Sequence, residues 1–149
     1  MKSKVDPLMK LIDQRRIEGS RALMAAQHRL MTAELELRAL IETLVGGEAR
    51  FEDAQKGPLS GQEHAFHHHW LGRMRALIDI RQREVTTEQA QVELCRATLT
   101  ALHLEMRTLE KYKENLAERD LLERKALEAK ELDEIAGQKH RRLSGELAG

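Results

Sequence analysis

The sequence predicts an all-α protein in which two long helices form an antiparallel coiled-coil hairpin, the second helix being longer than the first. Three observations lead to this fold class: the composition, the heptad spacing of apolar residues, and one break rich in Gly and Pro. Of the 149 residues, 34% are charged and only 3% are aromatic, whereas a globular core of this size normally contains more large aromatic side chains. A helical hairpin has a narrow seam instead of a core, so it needs few of them.

The first helix is predicted over about residues 7–45. Asp6 can cap the free N–H groups of the first turn, and Pro7 fits the first helical position, where its missing N–H costs nothing. Apolar residues then recur every seven positions in two rows, as at the a and d positions of a coiled coil. The a row is Met9, Leu23, Leu30, Leu37 and Leu44, and the d row is Ile12, Ala26, Ala33 and Leu40.

The connection between the helices is predicted at residues 46–60. Gly46-Gly47 is expected to end the first helix, because glycine adopts the left-handed cap without a Cβ clash. Lys56-Gly57-Pro58 is incompatible with a helix interior. Within the first helix, Arg16 and Gly19 interrupt the apolar rows, so we expect a weak seam near them.

The second helix is predicted over about residues 61–136, because Ser60 and Glu63 have the spacing of a capping box. Gly137 is expected to stop it and to leave a tail at residues 137–149. The a row is Leu71, Ile78, Val85, Val92, Leu99 and Met106, and the d row is Met74, Cys95, Leu102, Leu109 and Leu116, with Arg81 and Glu88 as polar exceptions. An alternative is a separate short helix over residues 61–80.

The heptads of the second helix fail beyond Leu116. Lys113 and Asp120 fall at a, and Glu123 falls at d. Between residues 110 and 142 there are nine acidic and nine basic side chains, many of them spaced four apart, as in an exposed helix supported by ion pairs. The pattern therefore predicts a solvated single helix or one that meets a partner.

The charge balance and the cysteine content limit the functional classes. Acidic and basic residues number 25 each, which argues against a nucleic-acid partner, since such proteins need an excess of Lys and Arg. No run of apolar residues is long enough to span a membrane, and residues 1–14 lack the apolar stretch of a signal peptide. Cys95 is the one cysteine, so an internal disulfide is excluded. We expect a cytoplasmic protein.

Catalytic and cofactor motifs are missing from the sequence. There is no phosphate-binding G-x-x-x-x-G-K-[ST], no G-x-S-x-G and no H-E-x-x-H, so we predict that the chain is not an enzyme and needs no cofactor. His64 and His68 would share a helix face and are weak metal-ligand candidates without an obvious third ligand. Cys95, at a d position, is interpreted as a seam residue.

A row of side chains near the connection is the strongest candidate binding surface. The row has helical spacings of four and three and consists of Phe66, Trp70, Met74, Leu77 and Arg81. Exposed aromatic residues with polar surroundings often mark an interface. The row could instead pack against the connection.

Three features of the chain resemble the FliJ family of the flagellar exporter and its YscO-type relatives in type III secretion. They are the hairpin with the longer second helix, the segment WLGRMRALI at residues 70–78, and the segment KELDEIA at residues 130–136. The second is similar to the family's aromatic-then-apolar helical pattern, and the third to its K-x-[LM]-D-E-x-A.

The resemblance implies a stalk protein that acts at the inner-membrane export apparatus. The end with the chain termini would enter the ring of the export ATPase hexamer, and the tip would contact the membrane-embedded export-gate protein. Export chaperones are a further candidate partner. By position, the gate contact would be the row from Phe66 to Arg81, and the ATPase contact would be made by Arg15, Arg16, Arg119 and Arg124.

A second function from another class is a structural coiled coil that tethers or dimerises. The two hypotheses predict different masses in solution, because a stalk uses its apolar seam within one chain and is monomeric alone. A third, weaker hypothesis is a metal-dependent protein that uses the histidines. The residues leave open whether the apparatus is flagellar or a virulence secretion system.

Overall fold

The structure is a computed structural model and describes residues 4–148, with side chains described for residues 4–145. This part of the chain contains two helices and no strand: α1 spans Val5–Ala54 and α2 spans Gly61–Ala148. α1 has 50 residues and α2 has 88. The predicted all-α fold, with two long helices packed against each other and the second longer, is confirmed.

α1 continues through the two glycines that were expected to end it. Gly46 and Gly47 both have negative φ, and α1 ends only at Ala54, so the connection is short and occupies residues 55–60. The heptad spacing also continues, because Gly47 and Phe51 are both half-buried at the next d and a positions. The predicted helix end at residue 45 is therefore wrong. Gly47 does not cap the helix but lies against the ring of Trp70.

The connection is built from hydrogen bonds at the two helix ends. The Phe51 carbonyl accepts a bond from the Gln55 N–H at 2.9 Å, and the Ala54 carbonyl accepts one from the Gly57 N–H at 3.2 Å. At the start of α2, the Ser60 hydroxyl accepts a bond from the Glu63 N–H at 3.1 Å. This is the predicted cap, and it satisfies an N–H that has no partner within the helix.

α2 is one continuous helix from Gly61 to Ala148. A separate short helix over residues 61–80 is therefore ruled out, and the predicted stop at Gly137 is wrong. A Cβ built on Gly137 would meet nothing within 4 Å, so this glycine has open space around it. Glycine costs a helix about 1 kcal/mol relative to Ala. The Leu, Ala, Glu and Lys residues of this part of α2 have high helix propensity, so the helix continues through the glycine.

The chain forms two packed units, which we name the tip unit (Gln14–His103) and the terminal unit (Met1–Asp13 with Leu104–Gly149). In the tip unit, the predicted a and d rows form the seam between antiparallel helices. Its buried apolar residues are Ala26, Ala33, Met74 and Val92. The predicted rows therefore identify the buried side of both helices.

Three ion pairs join α1 and α2 within the tip unit. Arg29 Nε lies 3.2 Å from Glu88 Oε2, Arg81 Nη1 lies 3.0 Å from Glu36 Oε2, and Arg75 Nη2 lies 3.9 Å from Glu48 Oε1. Arg81 and Glu88 are the polar exceptions of the α2 d row, so α1 supplies an opposite charge to each. Ion pairs of this kind add little to the stability of a fold. Opposite charges across the seam do, however, favour one alignment of the two helices over others.

The seam also continues at Gly19, where we expected it to be weak. A Cβ on Gly19 would lie 3.4 Å from Leu99 Cδ1 and 3.7 Å from Leu102 Cδ1. These are ordinary packing distances, so two leucines of α2 cover the glycine. Arg16, the interruption of the a row, is half-buried.

In the terminal unit, the first turns of α1 pair with α2. Val5, Ile12 and Met106 are buried, and Lys113 Nζ lies 2.8 Å from Asp6 Oδ1. From residue 117 to residue 145, every described side-chain position is exposed apart from the half-buried Gly137. We name this stretch the C-terminal extension. Neither helix has, in its described residues, an apolar stretch suited to crossing a membrane.

Candidate partner-binding surfaces

The end of α1 and the start of α2 meet through an aromatic cluster in the tip unit. The Phe51 and His67 rings are stacked, with centroids 3.4 Å apart and planes 5° from parallel. The His64 ring meets Phe51 edge-on at 5.6 Å, and the Trp70 ring lies 5.8 Å from His67 at 28°. We name these four residues the aromatic cluster. Such ring contacts add to the stability gained by burying the rings.

Trp70 lies against the backbone of α1 at Gly47. A Cβ built on Gly47 would overlap Trp70 Cη2 and would lie 2.6 Å from Cζ3 and 2.9 Å from Cζ2. Trp70 is half-buried as a result. The sequence left open that the row packs against the connection instead of binding a partner. Trp70 does pack close to the connection, against the last turns of α1.

The structure separates the five residues of the predicted gate-binding row. Phe66 and Leu77 are 73% and 43% exposed, whereas Met74 is only 8% exposed. Met74 and Arg81 both occupy d positions, and a d position points into the seam. Phe66 and Leu77 are therefore the members of the row that a partner reaches without rearrangement.

Arg81 is held by two carboxylates. Its Nη1 donates to Glu84 Oε2 at 2.8 Å and lies 3.0 Å from Glu36 Oε2. The hydrogen bond to Glu84 and the negative charges of Glu36 and Glu84 raise the pKa of Arg81. The guanidinium stays charged, and its ion pairs leave it less available to a partner than an unpaired arginine.

A cleft of about 500 Å³ lies beside the aromatic cluster and was not predicted from the sequence. It lies where α1, the connection and α2 meet, and its lining includes Gly47, Arg50, Phe51, Ala54, Leu59, Phe66 and His67. Phe51 and His67 were missed as members of a site because α1 was expected to end before Phe51. The heptad register of α1, extended by one more repeat, places Gly47 and Phe51 at d and a.

The residues with possible metal or thiol chemistry have other surroundings. Among the described residues, no group of three or more His, Cys, Asp and Glu side chains is placed to hold a metal ion. His64 packs on Phe51, and His68 is exposed. Cys95 is half-buried in the d row, with its Sγ 4.0 Å from Gln91 Nε2.

The four predicted ATPase-binding arginines belong to different units. Arg15 and Arg16 are in the tip unit, with Arg15 exposed and Arg16 half-buried. Arg119 and Arg124 are exposed on the C-terminal extension. This extension also exposes large apolar side chains: Leu121, Leu122, Leu127, Leu132, Ile135 and Leu143 are each at least 52% exposed. A helix with exposed apolar and charged side chains but no partner of its own is suited to binding another protein.

Comparison with known proteins gives a family assignment. A family model described as FliJ, flagellar FliJ protein, matches residues 1–145. No curated protein and no solved structure matches the chain.

Proposed function

The chain belongs to the FliJ family, and on this premise we propose that it is a non-enzymatic stalk protein of a flagellar or type III protein export apparatus. In this proposal the terminal unit enters the ring of the export ATPase hexamer and promotes its assembly and turnover. The tip unit contacts the export-gate protein at the inner membrane. The protein works on the cytoplasmic side, and export chaperones are further candidate partners.

The observation that carries the ATPase contact is the C-terminal extension. Residues 117–145 form a helix with no packed partner in the terminal unit, and they include Arg119, Arg124 and exposed leucines. An isolated helix is marginal in water, so a binding partner would stabilise it. Balanced charges allow it to pair with both acidic and basic side chains of a ring lumen.

The tip contact is supported by the two exposed members of the predicted row and by the cleft. Phe66 is 73% exposed and lines the cleft together with Phe51 and Leu59. An exposed aromatic side chain beside an apolar cleft is the kind of feature from which protein interfaces draw most of their binding energy.

The ATPase contact is tested by measuring ATP hydrolysis by the export ATPase of the same system with and without this chain. We expect the chain to stimulate hydrolysis and to have no activity alone. In the double variant Arg119→Glu with Arg124→Glu, the half-maximal concentration should rise roughly tenfold, equivalent to about 1.4 kcal/mol. The matched control is Arg38→Glu with Arg73→Glu, the same charge change at two exposed positions of the tip unit.

The outcomes separate the parts of the proposal. Equal stimulation by both double variants would exclude Arg119 and Arg124 as contacts. A chain that does not stimulate the ATPase at all would contradict the stalk function. A stable dimer in sedimentation experiments, held through the seam of the tip unit, would favour the structural tether instead.

A further inference from the structure

We propose that Gly47 is the positioning residue of the tip: it lets Trp70 lie against α1, and this contact holds the aromatic cluster in the arrangement that presents Phe66 to a partner. The inference rests on the proposed contact between the tip unit and the export-gate protein. It assigns a role within that contact to a residue that does not itself have to touch the partner.

The first step is steric. The Trp70 ring occupies the space in which any other residue at position 47 would place its Cβ, at 2.6 Å from Cζ3 and 2.9 Å from Cζ2. Non-bonded carbon atoms pack at about 3.5–4.0 Å, so a methyl group at position 47 displaces the ring. Gly46, the preceding residue, has nothing within 4 Å of its Cβ position. The need for glycine is therefore specific to position 47.

The second step follows the ring contacts from Trp70 to the connection. Trp70 lies beside His67, and His67 stacks on Phe51. Gly47 and Phe51 are one turn apart on α1, and His67 and Trp70 are one turn apart on α2. Moving the Trp70 ring therefore disturbs a set of contacts that joins the last turns of α1 to the first turns of α2.

The third step links this arrangement to the exposed surface. Phe66 precedes His67 in the chain and lines the same cleft as Gly47, Phe51 and His67. Phe66 and His67 are neighbours in one turn of α2, so a shift of this turn against α1 moves Phe66 relative to the cleft. A helix interior disfavours glycine relative to alanine, so the glycine at position 47 is accounted for by the ring that it accommodates.

The test compares Gly47→Ala with Gly46→Ala, the same substitution at neighbouring positions of one helix. Trp70 is the single tryptophan of the chain, so the tryptophan fluorescence reports the surroundings of this one ring. We expect Gly47→Ala to shift the emission to longer wavelength and to increase quenching by acrylamide. Affinity for the purified export-gate protein should fall roughly tenfold. Gly46→Ala should leave both the emission and the affinity unchanged.

A second variant keeps the test decisive if Gly47→Ala folds poorly. Trp70→Phe removes the outer ring atoms that overlap the new methyl group, so Gly47→Ala with Trp70→Phe should regain the thermal stability lost in Gly47→Ala. It should also recover part of the gate affinity. No recovery of stability would overturn the steric explanation.

The remaining outcomes distinguish this inference from the proposed function. Equal emission spectra for the two alanine variants would overturn the Gly47–Trp70 contact. A shifted spectrum with unchanged gate affinity would overturn the positioning role and leave a structural contact. Failure of the wild-type chain to bind the gate protein would instead reject the proposed function and, with it, the role of Gly47 in binding.

Discussion

The tip unit and the C-terminal extension are built from similar residues in the same secondary structure, yet only the tip unit has a buried seam. In the tip unit, apolar residues at a and d are covered by the opposite helix, and Ala26 is 0% exposed. In the extension several a and d positions hold charged residues such as Asp120 and Glu123. Most of its large apolar residues stand at other positions, and each is more than half exposed.

The difference shows that the spacing of apolar residues, more than their number, determines which part of these helices is packed. Leu121, Leu122 and Leu127 are as apolar as the leucines of the seam, but they do not form a single heptad row. The ion pairs expected between side chains four residues apart, such as Arg119 with Glu123, are not formed among the described residues of the extension. Its stability in the free protein therefore depends on helix propensity, which alone is marginal.

The largest expected effect comes from placing a charge in the seam. Ala26→Asp puts a carboxylate at a fully buried position of the apolar seam and should lower the free energy of unfolding by roughly 3–5 kcal/mol. Ala126→Asp makes the same change at an exposed position of the extension. It should cost no more than the helix propensity of Asp, about 0.7 kcal/mol.

Urea unfolding followed by circular dichroism measures both variants. The m value should also be compared, because it reports the surface exposed on unfolding. If both variants lose similar stability, the extension is packed in solution and the contrast between the two regions does not hold.

A smaller effect, of opposite sign, is expected from replacing a charge at a d position. Glu88 is paired with Arg29 in the seam, with its side chain 26% exposed. Glu88→Leu exchanges this pair, worth about 0–1 kcal/mol, for a leucine that gains about 1.5–3 kcal/mol on burial. We expect the free energy of unfolding, measured by urea unfolding, to rise by roughly 1 kcal/mol.

Glu123→Leu is the matched change, because Glu123 stands at a d position of the same heptad register in the extension. With no opposite helix to cover it, the new leucine should change the free energy of unfolding by less than about 0.5 kcal/mol. A clear gain from Glu123→Leu, especially one that depends on protein concentration, would reveal self-association through the extension.

Much of the fold could be predicted from the sequence because a coiled coil follows a simple repeat. The rows that contain Ala26, Val92 and Met106 were assigned to the seam, and all three residues are buried. The helix ends could not be predicted in the same way, since a glycine signals either a cap or a close approach. At Gly47 the deciding partner is Trp70, which is distant in sequence and becomes a neighbour only in the folded hairpin.

The candidate site was predicted less well, for a related reason. Helical spacings of three and four place Met74 and Arg81 in one row with Phe66 and Leu77, but those same spacings also generate the seam. Met74 and Arg81 belong to the d row, and the structure directs them towards α1. Spacing along one helix does not separate these two faces unless the register of the opposite helix is known.

The smallest expected effect on the urea midpoint of the whole chain concerns Gly137, and it tests whether the extension unfolds independently. Gly137→Ala replaces a helix-interior glycine that has open space around its Cβ position, so it should stabilise the local helix by about 1 kcal/mol. If the extension frays separately from the paired helices, the gain appears as slower amide hydrogen exchange near residue 137, while the urea midpoint of the chain does not move. Gly46→Ala offers the matched comparison, because its Cβ position is equally open but lies on a helix that is paired within the tip unit. That variant should raise the midpoint itself. A midpoint raised equally by both substitutions would mean that the extension and the tip unit unfold as one cooperative structure.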